Sequence, residues 1–250
     1  MADVWPVELC GVLMDGETLD ADGVRWARNT LTGWDSPAVR LNGDVRTGTH
    51  GAWSSRPLYA ARELTLSGIA FCPDMATAER VGDRLHGMPG TGSSGVLTVH
   101  SAAPKSLTVD LNGELRATWP FDIPNPYVRF QIPLRADDPF KRSTTARTTP
   151  VAAGATVTID NDGTAAADLL VTLTSSGTVV LTAGGVTLTT ASLPSGAVID
   201  TGACMVTSSG DVDLFSSVLV PRFPALPAGG GSVHQAGTAG LSIVSHDTFA

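Results

Sequence analysis

The sequence predicts a mainly β chain in two parts: an α+β part with one helix, then an antiparallel β-sandwich. Three observations carry this prediction. Residues 74–88 are the one stretch with helical apolar periodicity. The segments around it alternate apolar and polar residues with period two, as a half-buried sheet does. From Ala155 onward the texture changes to short Thr/Val/Ala-rich runs punctuated by Gly, Asn, Asp or Pro. Many short strands at a spacing of about ten residues read as a sandwich.

In the first part, Val4 to Leu13 is apolar and extended. Met14-Asp15-Gly16-Glu17 predicts a turn, because Asp-Gly tolerates the positive φ of tight hairpins. Val24 to Leu31 sets Val24 and Trp26 against Arg25 and Arg28, a half-buried strand pattern. Val39 to Asn42 is a further short strand, and Arg46 to Gly51 is loop chemistry without an apolar period. Glu63 to Phe71 is a clear strand with Leu64, Leu66 and Ile69 as core candidates. Asp74 is placed to cap the helix by accepting backbone N–H groups. Met75, Ala78, Val81, Leu85 and Met88 then form one apolar stripe, and Pro89-Gly90 stops it. Gly95 to His100, Leu107 to Trp119 and Tyr127 to Leu134 are three more strands, with a hairpin turn expected at Asn112-Gly113.

In the second part, strands are predicted at Val157–Ile159, Leu169–Leu173, Thr178–Leu181, Val186–Leu188, Ala197–Ile199, Met205–Thr207, Val212–Leu214, Ser217–Leu219 and Leu241–Val244. The Thr/Val bias is strand propensity and needs no functional cause. The join between the parts is Leu134 to Arg142. Pro139 disfavours helix at Asp138, so the chain should cross there extended. The expected boundary puts 1–142 in one domain and 143–250 in the other, with Asp138, Pro139 and Phe140 at the junction.

Charge narrows the functions. The formal net charge is −8. Residues 151–250 hold seven acidic residues against Arg222 alone, and no Lys. Neither part has the basic excess that phosphate neutralisation needs, so direct nucleic-acid binding is not expected. Cys10, Cys72 and Cys204 are far apart, without a C-x-x-C pair, and read as buried or incidental thiols. The N-terminus shows no basic and apolar leader pattern, so synthesis is expected in the cytosol. No stretch approaches the roughly 20 apolar residues of a membrane span.

No motif nominates a catalytic residue, a metal ligand or a cofactor. Gly87 to Gly95 is glycine-rich but lacks the Lys of a phosphate loop, and it follows a helix where such a loop follows a strand. Asp160-Asn161-Asp162-Gly163 loosely resembles a calcium loop, yet Leu169 stands where the bidentate Glu belongs; a turn between strands is the better reading. His50, His86, His100, His234 and His246 are scattered without ligand spacing. There is no G-x-S-x-G elbow. Carboxylate pairs of the glycosidase kind are spatial, and nothing here nominates one.

Several local patterns occur in a telling order. Gly48-Thr49-His50-Gly51 is similar to a Gly-x-His-Gly loop. Arg62 to Ile69 is similar to the strand R-x-L-x-L-x-G-x that follows such a loop. Ala136-Asp137-Asp138-Pro139-Phe140 resembles A-x-D-P-Y/F at the end of a first domain. Asn161 to Ala167, Ile199-Asp200-Thr201 and Leu226-Pro227-Ala228-Gly229 resemble the opening, a central strand and the closing turn of a second. Together they resemble the distal tail proteins of long-tailed bacteriophages, the siphovirus tail-component family. Two departures affect turn detail: Gly229-Gly230-Gly231 lacks the Asn common after that glycine, and Asp168 stands where many relatives have an apolar residue.

The resemblance implies an N-terminal belt domain that closes into a six-membered ring around the tail channel. It implies a galectin-like sandwich on the ring's outside. The ring would join the tail-tube protein to the tail-tip hub protein and support receptor-binding proteins, in the virion, after assembly in the host cytoplasm. Gly48, His50 and Gly51 become candidate ring contacts, because glycine-flanked loops are free to reach a neighbour. A carbohydrate-binding tail module aiding adsorption is the alternative that a galectin-like domain raises. Sugar platforms rely on aromatic faces, and residues 151–250 contain no Trp or Tyr, only Phe215, Phe223 and Phe249. A cell-wall hydrolase lacks any acid/base constellation to support it.

Overall fold

In the computed structural model, which describes residues 5–40, 43–45, 50, 52–54, 58–89, 93–118 and 126–250, one unit runs from Met1 to Lys141 and a second from Arg142 to Ala250. The first unit contains β1 (Val7–Leu9), β2 (Val12–Met14), β3 (Arg25–Thr32), β4 (Val39–Arg40), β5 (Gly43–Val45), β6 (Ala52–Ser54), β7 (Leu58–Tyr59), β8 (Arg62–Phe71), α1 (Met75–His86), β9 (Gly95–Val99), β10 (Lys105–Leu111), β11 (Arg116–Thr118) and β12 (Tyr127–Ala136). Its strand pairs are antiparallel. One run is β2-β1-β9-β10, and another is β12-β8-β3. The end of β10 and all of β11 pair with β12. The β4·β7 and β5·β6 ladders form two separate small pairs.

Period two explains the core. On β8 the positions of Arg62, Leu64, Leu66, Gly68 and Ala70 are all buried. Ile69, expected in the core, falls one residue out of phase and lies half-buried on the other face. Gly68 is required where it stands. A Cβ there would come within 2.4 Å of the Phe130 ring and 2.5 Å of the Ala27 carbonyl. Phe130 in turn meets the buried Trp26 edge-to-face at 5.9 Å.

The helix starts as its sequence dictates. Thr77 N–H donates to the Asp74 carboxylate at 2.7 Å, a cap worth about 1 kcal/mol. Ala78, Val81 and Leu85 are buried, and the helix packs on β11 and β12. Gly87 ends it.

Two turns differ from expectation. The first hairpin closes at Cys10-Gly11, where φ is 50° and 79°. These paired positive values suit a two-residue loop, but Cys carries no turn signal. Asp15 organises only a local turn by accepting from Glu17 N–H and Thr18 N–H. At Asn112-Gly113 the chain does not reverse. Leu111 faces Leu134 and Arg116 faces Gln131, so β10 and β11 run the same way along β12. Asn112 N–H donates to the Pro133 carbonyl at 2.9 Å, and the interruption is an enlarged bulge.

The second unit contains β13 (Lys141–Val151) from its second residue on, β14 (Thr156–Ile159), β15 (Leu169–Leu173), β16 (Gly177–Ala183), β17 (Val186–Leu193), β18 (Val198–Asp200), β19 (Met205–Thr207), a 3-10 turn at Phe215–Ser217, β20 (Val218–Val220), β21 (Gly231–Gln235) and β22 (Leu241–Phe249). One sheet has the order β19-β18-β15-β22-β13, the other β14-β21-β16-β17-β20. Leu169, Val171, Ile199 and Ile243 from the first share a single core with Ile159, Leu181, Leu188 and Val233 from the second. This is the antiparallel sandwich the sequence predicts. The long β13 was not expected as a strand, since its Thr and Arg residues are mostly exposed. Val212–Leu214 was expected and contributes only a bridge from Asp213 to Thr207. There Asp211 takes φ 56°, and the Ser208 hydroxyl accepts from Val212 N–H, so a tight turn replaces the strand.

Candidate functional site

The most built-up polar feature of the first unit surrounds its exit. Asp138 turns the chain by accepting Phe140 N–H at 3.1 Å. The Phe140 ring meets Tyr59 edge-on, with centroids 5.7 Å apart. The Pro139 carbonyl accepts from Arg62 twice, at 3.1 Å from Nε and 2.9 Å from Nη2. Nη1 of the same guanidinium donates to the carbonyls of Gly33 (3.2 Å) and Trp34 (2.7 Å). Arg62 is 1% exposed. Lys141 is 8% exposed and donates to the Trp34 and Asp35 carbonyls at 3.2 and 3.1 Å. Its ammonium also lies 5.5 Å from the Trp34 ring, within cation–π range.

Two buried cations thus tie the Asp138-Pro139-Phe140 exit to the loop after β3. Burial pushes the pKa of Arg62 down, and Asp35 opposes that. Burial also pushes Lys141 down, with Arg62 and Lys105 acting in the same direction and Asp35 against. Beside them is a cavity of 390 Å³ whose lining includes Trp5, Arg28, Trp34, Asp35, Lys105 and Lys141. Sequence reasoning missed Arg62 and Arg28 as inward cations. The signal was present: Arg62 precedes Leu64 and Leu66, and Arg28 follows Trp26, each by the even spacing that keeps a residue on the core face.

His50 is exposed and lies between the paired strands β5 and β6. Gly48 and Gly51 lie outside the described residues. Among the described residues neither small ladder carrying this region pairs with the larger sheet, and a two-stranded ribbon alone is marginal in water.

In the second unit, Arg147 gathers three acids. It donates to Asp162 at 2.6 Å and Asp247 at 3.1 Å, and lies 3.9 Å from Asp160. The Asp160–Gly163 segment is therefore a turn with its carboxylates held by a guanidinium. Asn161, 1% exposed, donates to the Ala165 and Pro227 carbonyls and accepts Gly163 and Thr248 N–H. Phe215 stacks on Phe223 at 6.3 Å. With Leu219 and Val220 on the edge strand β20, Phe215 makes an exposed apolar stretch.

The three cysteines are free. Cys72 is buried, and desolvation with the nearby charges of Asp20 and Asp74 raises its thiol to about 11. Among the described residues no cluster of His, Cys, Asp and Glu is arranged to hold a metal ion.

No family profile matches the chain, and no curated protein matches it in sequence. Solved structures do match in fold. The chain superposes on the Dit protein of phage SPP1, described as a paradigm of the hub adsorption apparatus of phages infecting Gram-positive bacteria, with a TM-score of 0.68 at 14% identity over 99% of this chain and 100% of that one. It matches a chain of the phage P2 baseplate in its activated conformation with calcium at a TM-score of 0.62 and 8% identity, covering 99% and 98%. A chain of the strontium form of that baseplate matches at 0.55 and 8%, covering 97% of each. The chain shares the fold of these phage hub and baseplate chains over essentially its whole length.

Proposed function

We propose that this chain is a structural hub protein of a long-tailed phage, a ring-former at the distal end of the tail rather than an enzyme. The single observation that carries the reading is the correspondence of both units, end to end, with hub and baseplate proteins. In this reading residues 1–142 form the belt of a six-membered ring, and residues 143–250 form a galectin-like sandwich that docks other tail proteins.

Physical features support each part. A ring needs sheet edges that pair across protomers. Strand β3 pairs with β8 on one side; among the described residues its other edge carries the bridge from Arg25 to Leu19 and the bond from Gly16 N–H to the Trp26 carbonyl, and forms no ladder. The small ladders around His50 are a second surface that gains from packing on a neighbour, with Gly48, His50 and Gly51 as contacts. On the sandwich, Phe215, Leu219 and Val220 expose apolar surface without Trp or Tyr. Such a surface suits protein docking better than sugar stacking.

The chain would join the tail-tube protein to the tail-tip hub protein and carry the receptor-binding protein. Negative-stain imaging and light scattering of the purified chain test this. Rings are expected, either alone or once tail-tube or tip proteins are added. A strict monomer that ignores both partners would overturn the reading.

A further inference from the structure

The recess beside Arg62 and Lys141 is not explained by holding the fold together. Arg28 sits two residues after Trp26 on β3, at a core-facing position. Its Nε is buried and has no hydrogen-bond partner among the described residues. An orphaned buried donor is costly, more so on a charged group. Arg28 is desolvated, which lowers its pKa, and among the described residues no carboxylate offsets that, whereas Asp35 does so for Arg62 and Lys141. Lys105 and Lys141 line the same cavity, with Asp35 its one acid among the described lining residues. The walls include Trp5 and Trp34.

We propose that this recess is a carboxylate-binding pocket, in which Arg28, Lys105 and Lys141 receive an acidic side chain of a partner protein. The chemistry favours a carboxylate over nucleic acid. Duplex phosphates lie along a rod and are neutralised by cations spread over a face. Here Arg28, Lys105 and Lys141 line one cavity of 390 Å³, large enough to admit an acidic side chain. A planar carboxylate matches the edge of a guanidinium through two parallel N–H bonds. The aromatic walls cover the methylene stem of Glu or Asp. The pocket stands or falls independently of whether the chain forms a ring.

The test uses the full chain and follows the Arg28 Nε–H resonance by nitrogen-15 NMR. The probes are a capped Gly/Glu peptide, the same peptide with Gln for Glu, and inorganic phosphate. The Glu peptide is expected to shift the Arg28 resonance in a saturable way, and the Gln peptide to leave it unmoved. Arg28→Met lacks the reporter resonance, so its binding is read by titration calorimetry with the Glu peptide; it is expected to be at least about tenfold weaker than the parent's, as loss of a charge-assisted bond implies, with melting temperature unchanged or raised. If that variant does not fold, Lys105→Met should weaken binding in the same assay. An equal response to the Gln peptide, no response to the Glu peptide, or a stronger response to phosphate would each overturn the assignment.

Discussion

Replacing Arg62 by Met tests whether the exit of the first unit is held as described. The change keeps the apolar stem and deletes the guanidinium. Of the three carbonyls that accept from Arg62, Trp34 keeps Lys141 as a donor. Those of Pro139 and Gly33 lose their Arg62 bonds. These carbonyls are only partly shielded, so at about 0.5–1.5 kcal/mol for each of the three bonds lost the gross loss is roughly 2–5 kcal/mol. Ending the desolvation of a guanidinium returns part of that, so the net cost should be about 2–4 kcal/mol. The assay is urea unfolding followed by Trp fluorescence. All five Trp residues precede residue 142, so the signal reports the first unit alone. With a slope of about 1–3 kcal/mol per molar urea, the midpoint should fall by about 1–2 M. Arg62→Lys should land between, because one ammonium cannot span the acceptors. A midpoint shift equivalent to less than about 0.5 kcal/mol, the range of an ordinary surface change, would refute the reasoning.

Two further outcomes follow from the same kind of bonding. Asp20 accepts from Asp22 N–H, Val24 N–H, Trp26 Nε1 and Arg84. Desolvation raises its pKa, but those hydrogen bonds and Arg84 outweigh it, so the pKa falls below its ordinary 3.8. The folded value is depressed, so its contribution is present above 3.8 and is lost as pH falls through the folded pKa. Asp20→Asn should therefore cost about 1–2 kcal/mol at pH 7 and flatten the stability profile below pH 4; an acid profile identical to the parent's would contradict this. Asn161→Ala removes a buried amide from four partners. It should lower sandwich stability by about 2–4 kcal/mol, read by circular dichroism in urea, and an unchanged transition would show that the turn does not depend on it.

What was legible in the sequence follows a pattern. Period two located β8, β12 and β15, and the Asp74 cap with its stripe located the helix, because burial and capping write directly into composition. The Cys10-Gly11 turn was hidden because one of its positive-φ positions is a Cys, held by the pairing of β1 with β2. Strand β13 was hidden because its exposed Thr and Arg positions leave no apolar alternation. Asn112-Gly113 looked like a hairpin locally, but pairing with β12 overrode that preference. The junction residues were visible as a change of texture. Their anchor was not, since Arg62 reads as a surface cation until its phase with Leu64 and Leu66 is counted.

That phase changes the meaning of the charge count. The first unit, residues 1–141, holds 17 acids and 13 bases, only a modest imbalance. Yet Arg62 and Lys141 are turned inward onto backbone carbonyls, and Arg28 points into a recess. In the second unit Arg147 is committed to Asp162 and Asp247. Cations held this way neither project to meet phosphate nor release counterions over an extended face. The surface the first unit offers to a passing polyanion is therefore more acidic than its formal charge states. In the ring proposed above, a lining that grips phosphate would slow passing DNA, so inward-turned cations are the useful direction. The buried cations let the chain keep enough Arg and Lys to hold its loops without placing them where they would bind nucleic acid.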